Sequence, residues 1–247
     1  MCRATGIVLF MFVTAVMAQL PEPPLSDTRF TVHTLVREDI FAGYLQGDMT
    51  RLARAEKNIE ALLETRPGAR PDLLAWKGGA TLYRAVRALE EKRNDEFSRL
   101  YKEAVDLFAG VRRSNPEHAG VAAVTGGSYA FLADRLPKEQ RAAAWSEAYD
   151  AYRVLWKLQA AVVDKLPLHI KGELLAGLAQ SSQRTGRSEE AGRHLDKILE
   201  ALPGAPYESV ARQWKANPQA AGNASITCLS CHDDGRLSAR ISALGVK

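Results

Sequence analysis

Along most of this chain apolar residues recur every three to four positions. Leu52, Ala55, Ile59, Leu62 and Leu63 form one such series and fall on one face of a helix. The same period, interrupted by Gly or Pro, predicts helices over 35–46, 49–65, 71–91, 94–113, 117–134, 138–162, 168–184 and 188–202, with a capping helix at Tyr207–Trp214. No run sustains the period-two alternation of a half-buried strand. Trp145, Tyr149, Tyr152 and Trp156 follow at spacings of four, three and four, so they share a face and read as core. Gly78-Gly79 and Gly126-Gly127 sit inside helical patterns, where glycine marks close approach of a neighbour.

The helices come in pairs with short turns. Lys171 to Pro203 is the clearest pair. Small Ala179 and Ala191 let its two helices approach, and Leu195 and Ile198 fill the groove between them. This stretch resembles a tetratricopeptide repeat: Leu175, Leu178, Ala179 and Ser182 fall at the contact positions of the first helix, Gly186 at the turn, Ala191, Leu195 and Ile198 on the second helix, and Pro203 at the close. Ser182 stands where the motif usually has an aromatic. Gly43, Ala55, Ile59, Leu62 and Pro67 repeat the pattern, and Ala104, Phe108, Val111 and Pro116 repeat it after Trp76, Gly79 and Tyr83. That third match is longer than the motif by about one helical segment around Ala88–Phe97. The pair at 117–162 has no clean match. The resemblance implies an all-α fold of antiparallel helix pairs forming a short solenoid, which is a binding architecture and not a chemistry.

Composition agrees with a globular chain. Of 247 residues, 46% are hydrophobic and 25% charged, and 33 Lys plus Arg stand against 29 Asp plus Glu. No run of four basic residues occurs, so nothing here suggests a nucleic-acid partner. The first residues differ from the rest. Arg3 precedes the uncharged run GIVLFMFVTAVMA, and Val16-Met17-Ala18 sets small residues at a cleavage position. This is the layout of a secretory signal peptide, and the run is shorter than the roughly 20 residues of a membrane span. The expected organisation is a signal peptide over 1–18, an extended Pro-rich segment over 19–34, a helical domain over 35–216, and a linker with a tail over 217–247. No stable membrane span is expected after cleavage, and an uncleaved N-terminal anchor is the alternative.

Cleavage at Ala18 would remove Cys2 and leave Cys228 and Cys231 as the only cysteines. Two cysteines three apart cannot staple a large fold. They stand in Cys228-Leu229-Ser230-Cys231-His232, a Cys-x-x-Cys-His motif that resembles the c-type haem attachment site. Two thiols at this spacing reach the two vinyl groups on one porphyrin edge, and the adjacent imidazole reaches the iron as proximal ligand. A closed disulfide, a thioredoxin-like redox pair, and a zinc site completed by Asp233, Asp234 or another group remain open as alternatives. No strand pattern precedes Cys228, and there is no second Cys-x-x-Cys.

Small cytochromes of the c type place this motif near the start of a domain and take a distal methionine from far downstream. Here 15 residues follow His232, none of them Met or His. A distal ligand, if there is one, therefore has to come from upstream or from a partner, and a five-coordinate iron stays open as the alternative. His169, at the start of a helix beside the last repeat, is the first choice, and His33 the second. His118 falls in an interhelix turn, His194 is expected to face solvent, and Met49 reads as packing. Leu237, Ile241 and Leu244 give the tail one short apolar face. Glu38, Asp39 and Glu173 read as helix-start electrostatics.

The whole chain resembles exported bacterial repeat proteins with a terminal haem-binding motif. That resemblance implies a periplasmic, monohaem electron-transfer or redox-sensing protein. Haem c would be held by Cys228, Cys231 and His232, with His232 and His169 on the iron and the helical domain docking a protein redox partner or complex subunit. The competing expectation is an interaction adaptor whose tail holds a structural disulfide or zinc. No catalytic acid–base pair can be named, so an enzyme is not the favoured expectation.

Overall fold

The computed structural model describes residues 23–222 and 224–227. The expected signal peptide, Cys228, Cys231, His232 and the apolar positions Leu237, Ile241 and Leu244 lie outside the described residues. The described chain is all-α. Its helices are α1 (Val32–Gln46), α2 (Met49–Thr65), α3 (Arg70–Glu90), α4 (Asn94–Ser114), α5 (Ala119–Leu132), α6 (Lys138–Gln159), α7 (Leu168–Arg184), α8 (Ser188–Ala201) and α9 (Pro206–Ala216), with short 3-10 turns between some of them.

Local chemistry sets the boundaries. The Asp48 carboxylate accepts the N–H groups of Thr50 and Arg51 and so starts α2. Gly47, at φ 69°, ends α1 in the left-handed region that glycine enters without strain. Helix α1 begins three residues inside the stretch expected to be extended, because the Thr31 hydroxyl accepts the Thr34 N–H and caps it. The residues before it are also held. Phe30 is buried, and the Arg66 guanidinium donates to the carbonyls of Leu25, Asp27 and Phe30.

Each helix packs on the next in sequence as α1 with α2, α3 with α4, α5 with α6 and α7 with α8, and α9 closes on α8. The odd-numbered helices also touch in order, α1 to α3, α3 to α5 and α5 to α7. Glycines allow these approaches. A Cβ on Gly78 would stand 3.0 Å from the Phe108 ring, and one on Gly177 would stand 2.0 Å from the Tyr152 ring. Tyr152, on α6, thus reaches between α5 and α7 and donates its hydroxyl proton to Glu173 at 2.7 Å. The segment around Ala88–Phe97 that stretches the third repeat match contributes to two helices of 21 residues each, α3 and α4, joined by a turn with Lys92 at φ 60°.

The apolar core runs continuously from Phe30 to Leu178, and a second cluster joins Leu175, Ile198, Tyr207, Trp214 and Ile226. Trp145, Tyr149 and Tyr152 are buried, as their spacing predicts, while Trp156 is half-buried between the two clusters. Asp39 departs from its expected role. It lies in the middle of α1, buried, and accepts from Arg51 at 2.8 Å and Arg54 at 2.6 Å, which ties α1 to α2.

Candidate functional site

Residues of α1, α3, α5, α6 and α7 line a groove of about 340 Å³. Its floor is the small-residue face of α5, with Ala119, Gly120, Ala123 and Gly127, and its walls are Phe41, Trp76, Val124, Leu155 and Ile170. The absence of large side chains on α5 is what opens the space. His33 from α1 and His169 from α7 are both on the lining, with Arg37 and Glu173. The two histidines favoured from the sequence as distal ligands therefore border one cleft, though 136 positions apart in the chain.

His33 is tied into a cluster of polar contacts. The Trp76 indole N–H donates to His33 Nδ1 at 2.8 Å, so in the neutral imidazole the proton sits on Nε2. Nε2 lies 3.3 Å from Asp72 Oδ1, and His118 Nδ1 lies 3.7 Å from the same oxygen. Gly120 makes room for this carboxylate, because a Cβ there would stand 2.0 Å from Asp72 Oδ1. His118 also caps α5 by accepting the Val121 N–H. A carboxylate at a helix N-terminus, faced by two imidazoles, is electrostatically favoured. His33 is thus bound up in a structural cluster at the start of α1, α3 and α5. Among the described residues no group of three or more His, Cys, Asp or Glu is arranged to hold a metal ion.

His169 is half-buried in the first turn of α7, and the same helix receives the end of the described chain. The Gln180 carboxamide oxygen accepts the Ile226 N–H at 2.9 Å, the Ser225 hydroxyl at 3.0 Å and the Thr227 N–H at 3.3 Å. Arg184 donates to the carbonyls of Ala221 and Ala224 and, through the same guanidinium, to Asp134 at 2.8 Å. It also lies over the Trp145 ring, whose indole N–H donates to Asp134. Ile226 is fully buried in the second apolar cluster. The chain before Cys228, which fully extended would reach about 35 Å from Asn217, is instead folded back and fastened to α7.

Gln180 and Arg184 were not visible as site residues in the sequence. Their spacing of four places them on one stripe of α7, and the partners that give the stripe meaning are 37 to 47 positions away. His194 departs from its expected exposure. It is buried against Trp156, edge to face at 5.9 Å, and neither ring nitrogen has a hydrogen-bond partner. Burial lowers its pKa, with Glu190 at 3.6 Å acting in the opposite direction. The apolar face of α8 is wider than the Leu195–Ile198 stripe suggests, and His194 falls on its edge.

Among the described residues no helix is long and apolar enough to cross a membrane. No family model matches the chain, and no curated protein or solved structure matches it.

Proposed function

We propose that this is an exported, periplasmic monohaem protein of the c type, serving electron transfer or redox sensing, with the helical domain as the docking module for a protein redox partner. Haem c is attached through Cys228 and Cys231, with His232 as proximal ligand and His169 as the distal one. Bound, the group would supply a one-electron couple. The helical domain is read as a short solenoid of tetratricopeptide-like pairs, a reading supported by the ordered contacts of α1, α3, α5 and α7.

One observation carries the reading. The residue before Cys228 is fastened to α7, the helix whose first turn bears His169 on the lining of a largely apolar groove. A groove of about 340 Å³ lies at the small end of the range for ligand clefts, about 300–1,000 Å³. It suits the edge or one face of a flat apolar ring and not the enclosure of a whole porphyrin. The chain's residues would hold the ring against Ile170 and Leu155, and the protein surface would leave one edge accessible to a partner.

The test is expression of the full chain with a cytochrome c maturation system, followed by a haem stain on a denaturing gel and an optical spectrum. Covalent haem in the parent chain, lost in a Cys228→Ala, Cys231→Ala double variant, is the expected result. A parent chain without covalent haem would overturn the reading. His169→Ala should turn a low-spin spectrum high-spin, and an unchanged low-spin spectrum removes His169 as ligand.

A further inference from the structure

We infer that His33, Asp72 and His118 form a proton switch that sets the state of Trp76 on the groove wall. With His33 neutral, the Trp76 indole N–H is held by its ring. When His33 takes a second proton, that bond is exchanged for an ion pair with Asp72, and the indole turns its N–H to the groove. The switch belongs to the helical domain and does not depend on what the groove holds.

Two hydrogen-bond arrangements compete for one ring. Trp76 donates to His33 Nδ1 at 2.8 Å, which requires a bare lone pair on that nitrogen. Nε2 already carries the proton of the neutral ring, so a second proton goes to Nδ1 and meets the indole N–H donor to donor. On the other side of the ring, Asp72 Oδ1 is shut off from solvent and has no donor in line with it, although His33 Nε2 stands 3.3 Å away. A buried carboxylate oxygen in that state gains more from an imidazolium than from a neutral ring. Protonation therefore breaks the bond to Trp76 and makes the one to Asp72. His118 repeats the pattern on the same oxygen, since its Nδ1 accepts the Val121 N–H at 3.3 Å and lies 3.7 Å from Asp72 Oδ1.

The proton has a way in, and the indole has a way out. The side chains of His33 and His118 are 32% and 36% exposed, whereas Trp76 is 5% exposed. A buried N–H that loses its acceptor has to find another. Trp76 and His33 both line the groove, which is the open space beside them. A wall that is apolar while His33 is neutral then presents a hydrogen-bond donor to the groove. The other charged or titratable groups around the cluster are Arg37, one turn along α1 from His33, and His169 and Glu173 of α7 on the groove lining. Beside His118 stand Arg113 and the Arg112–Glu147 pair. Asp72 is the carboxylate in ion-pair range of both His33 and His118.

The experiment uses the full chain with nitrogen-15 in its histidine rings and tryptophan indoles, followed by NMR from pH 8 to pH 5. At pH 8 His33 should be the Nε2–H tautomer. On acidification the Trp76 signal, identified by its loss in Trp76→Phe, should move on the same curve as the His33 ring. Exchange of the indole proton with solvent should be at least tenfold faster at the acid end. A proton on Nδ1 at pH 8, a His33 ring neutral down to pH 5, or a Trp76 signal that ignores a titrating His33 would each overturn the switch. Two variants separate it from other acid effects, His194 against Trp156 among them. His33→Asn puts a carboxamide oxygen, which does not titrate, where Nδ1 accepts from Trp76. The Trp76 response should vanish there, and its survival would remove His33 from the switch. Asp72→Asn keeps the shape and removes the charge, so the response should move about one pH unit toward acid. An unmoved response would refute the ion pair. The Cys228→Ala, Cys231→Ala variant, which can attach no haem, is measured beside the parent. The response is expected in both, whether or not the parent holds haem, and its loss in the variant would refute the assignment to the helical domain.

Discussion

The side-chain oxygen of Gln180 accepts the backbone N–H of Ile226 at 2.9 Å, 46 residues away and out of contact with solvent. This one oxygen also takes the Ser225 hydroxyl and the Thr227 N–H, so it orders the residues immediately before Cys228. Leucine at position 180 would leave two buried N–H groups without an acceptor, at a cost of about 1–3 kcal/mol. For Gln180→Leu we expect amide exchange at Ile226 and Thr227 to accelerate at least tenfold, with a fall in Tm of a few degrees. Hydrogen-exchange mass spectrometry on the 220–230 peptide checks this, and unchanged protection there would show that Ile226 burial alone holds the segment.

Arg184 makes a second, different attachment. Its guanidinium reaches Asp134, two tail carbonyls and the Trp145 face at once, and a lysine ammonium cannot reproduce that planar fork. Arg184→Lys should therefore be nearly as damaging as Arg184→Met, each losing about 2 kcal/mol in urea unfolding. Asp134→Asn should lose less, because its amide oxygen still accepts from Trp145. A lysine variant as stable as the parent would refute the fork.

The helices and most of the core were legible from the sequence because they follow from local period and turn chemistry. Trp145, Tyr149 and Tyr152 share a face by spacing alone, and the Asp48 cap and Gly47 turn sit where an N-cap and a C-cap belong. What was not legible is pairing across the chain. Asp39 could not be distinguished from a solvated helix acid until Arg51 and Arg54 were brought to it by the turn after α1. His33 and His169 could be named as imidazoles of interest, but their meeting at one groove depends on α5 having small residues where its neighbours have large ones. Gln180 and Arg184 carry no motif at all.

Glycine positions give a prediction with opposite signs in one protein. Gly177→Ala would put a methyl group 2.0 Å from the Tyr152 ring, which is boxed in by Gly126 on the other side. The ring is also held by its bond to Glu173, so a loss of about 1–3 kcal/mol is expected despite the better helix propensity of alanine. Gly192, inside α8, has nothing within 4 Å of where an added methyl would stand, and Gly192→Ala should gain about 0.5–1 kcal/mol. Thermal unfolding of the two variants side by side tests both signs.

His194 makes stability depend on pH. Burial against Trp156 disfavours the charged imidazolium, so the folded protein holds this proton less tightly than the unfolded chain, whose histidine titrates near 6.5. Protons then bind preferentially to the unfolded state, and stability falls as the pH drops below about 6.5. It is fully present above that value, where the imidazole is neutral in both states. Glu190 moderates the effect from 3.6 Å but does not cancel it, as burial is the larger influence. His194→Leu keeps an apolar group of similar size against Trp156 and removes the titration. Urea unfolding at pH 7.5 and pH 5.0 should show a smaller loss on acidification for this variant than for the parent chain. An equal loss in both would place the acid sensitivity elsewhere, and a parent chain more stable at pH 5.0 than at pH 7.5 would mean that Glu190, not burial, controls His194.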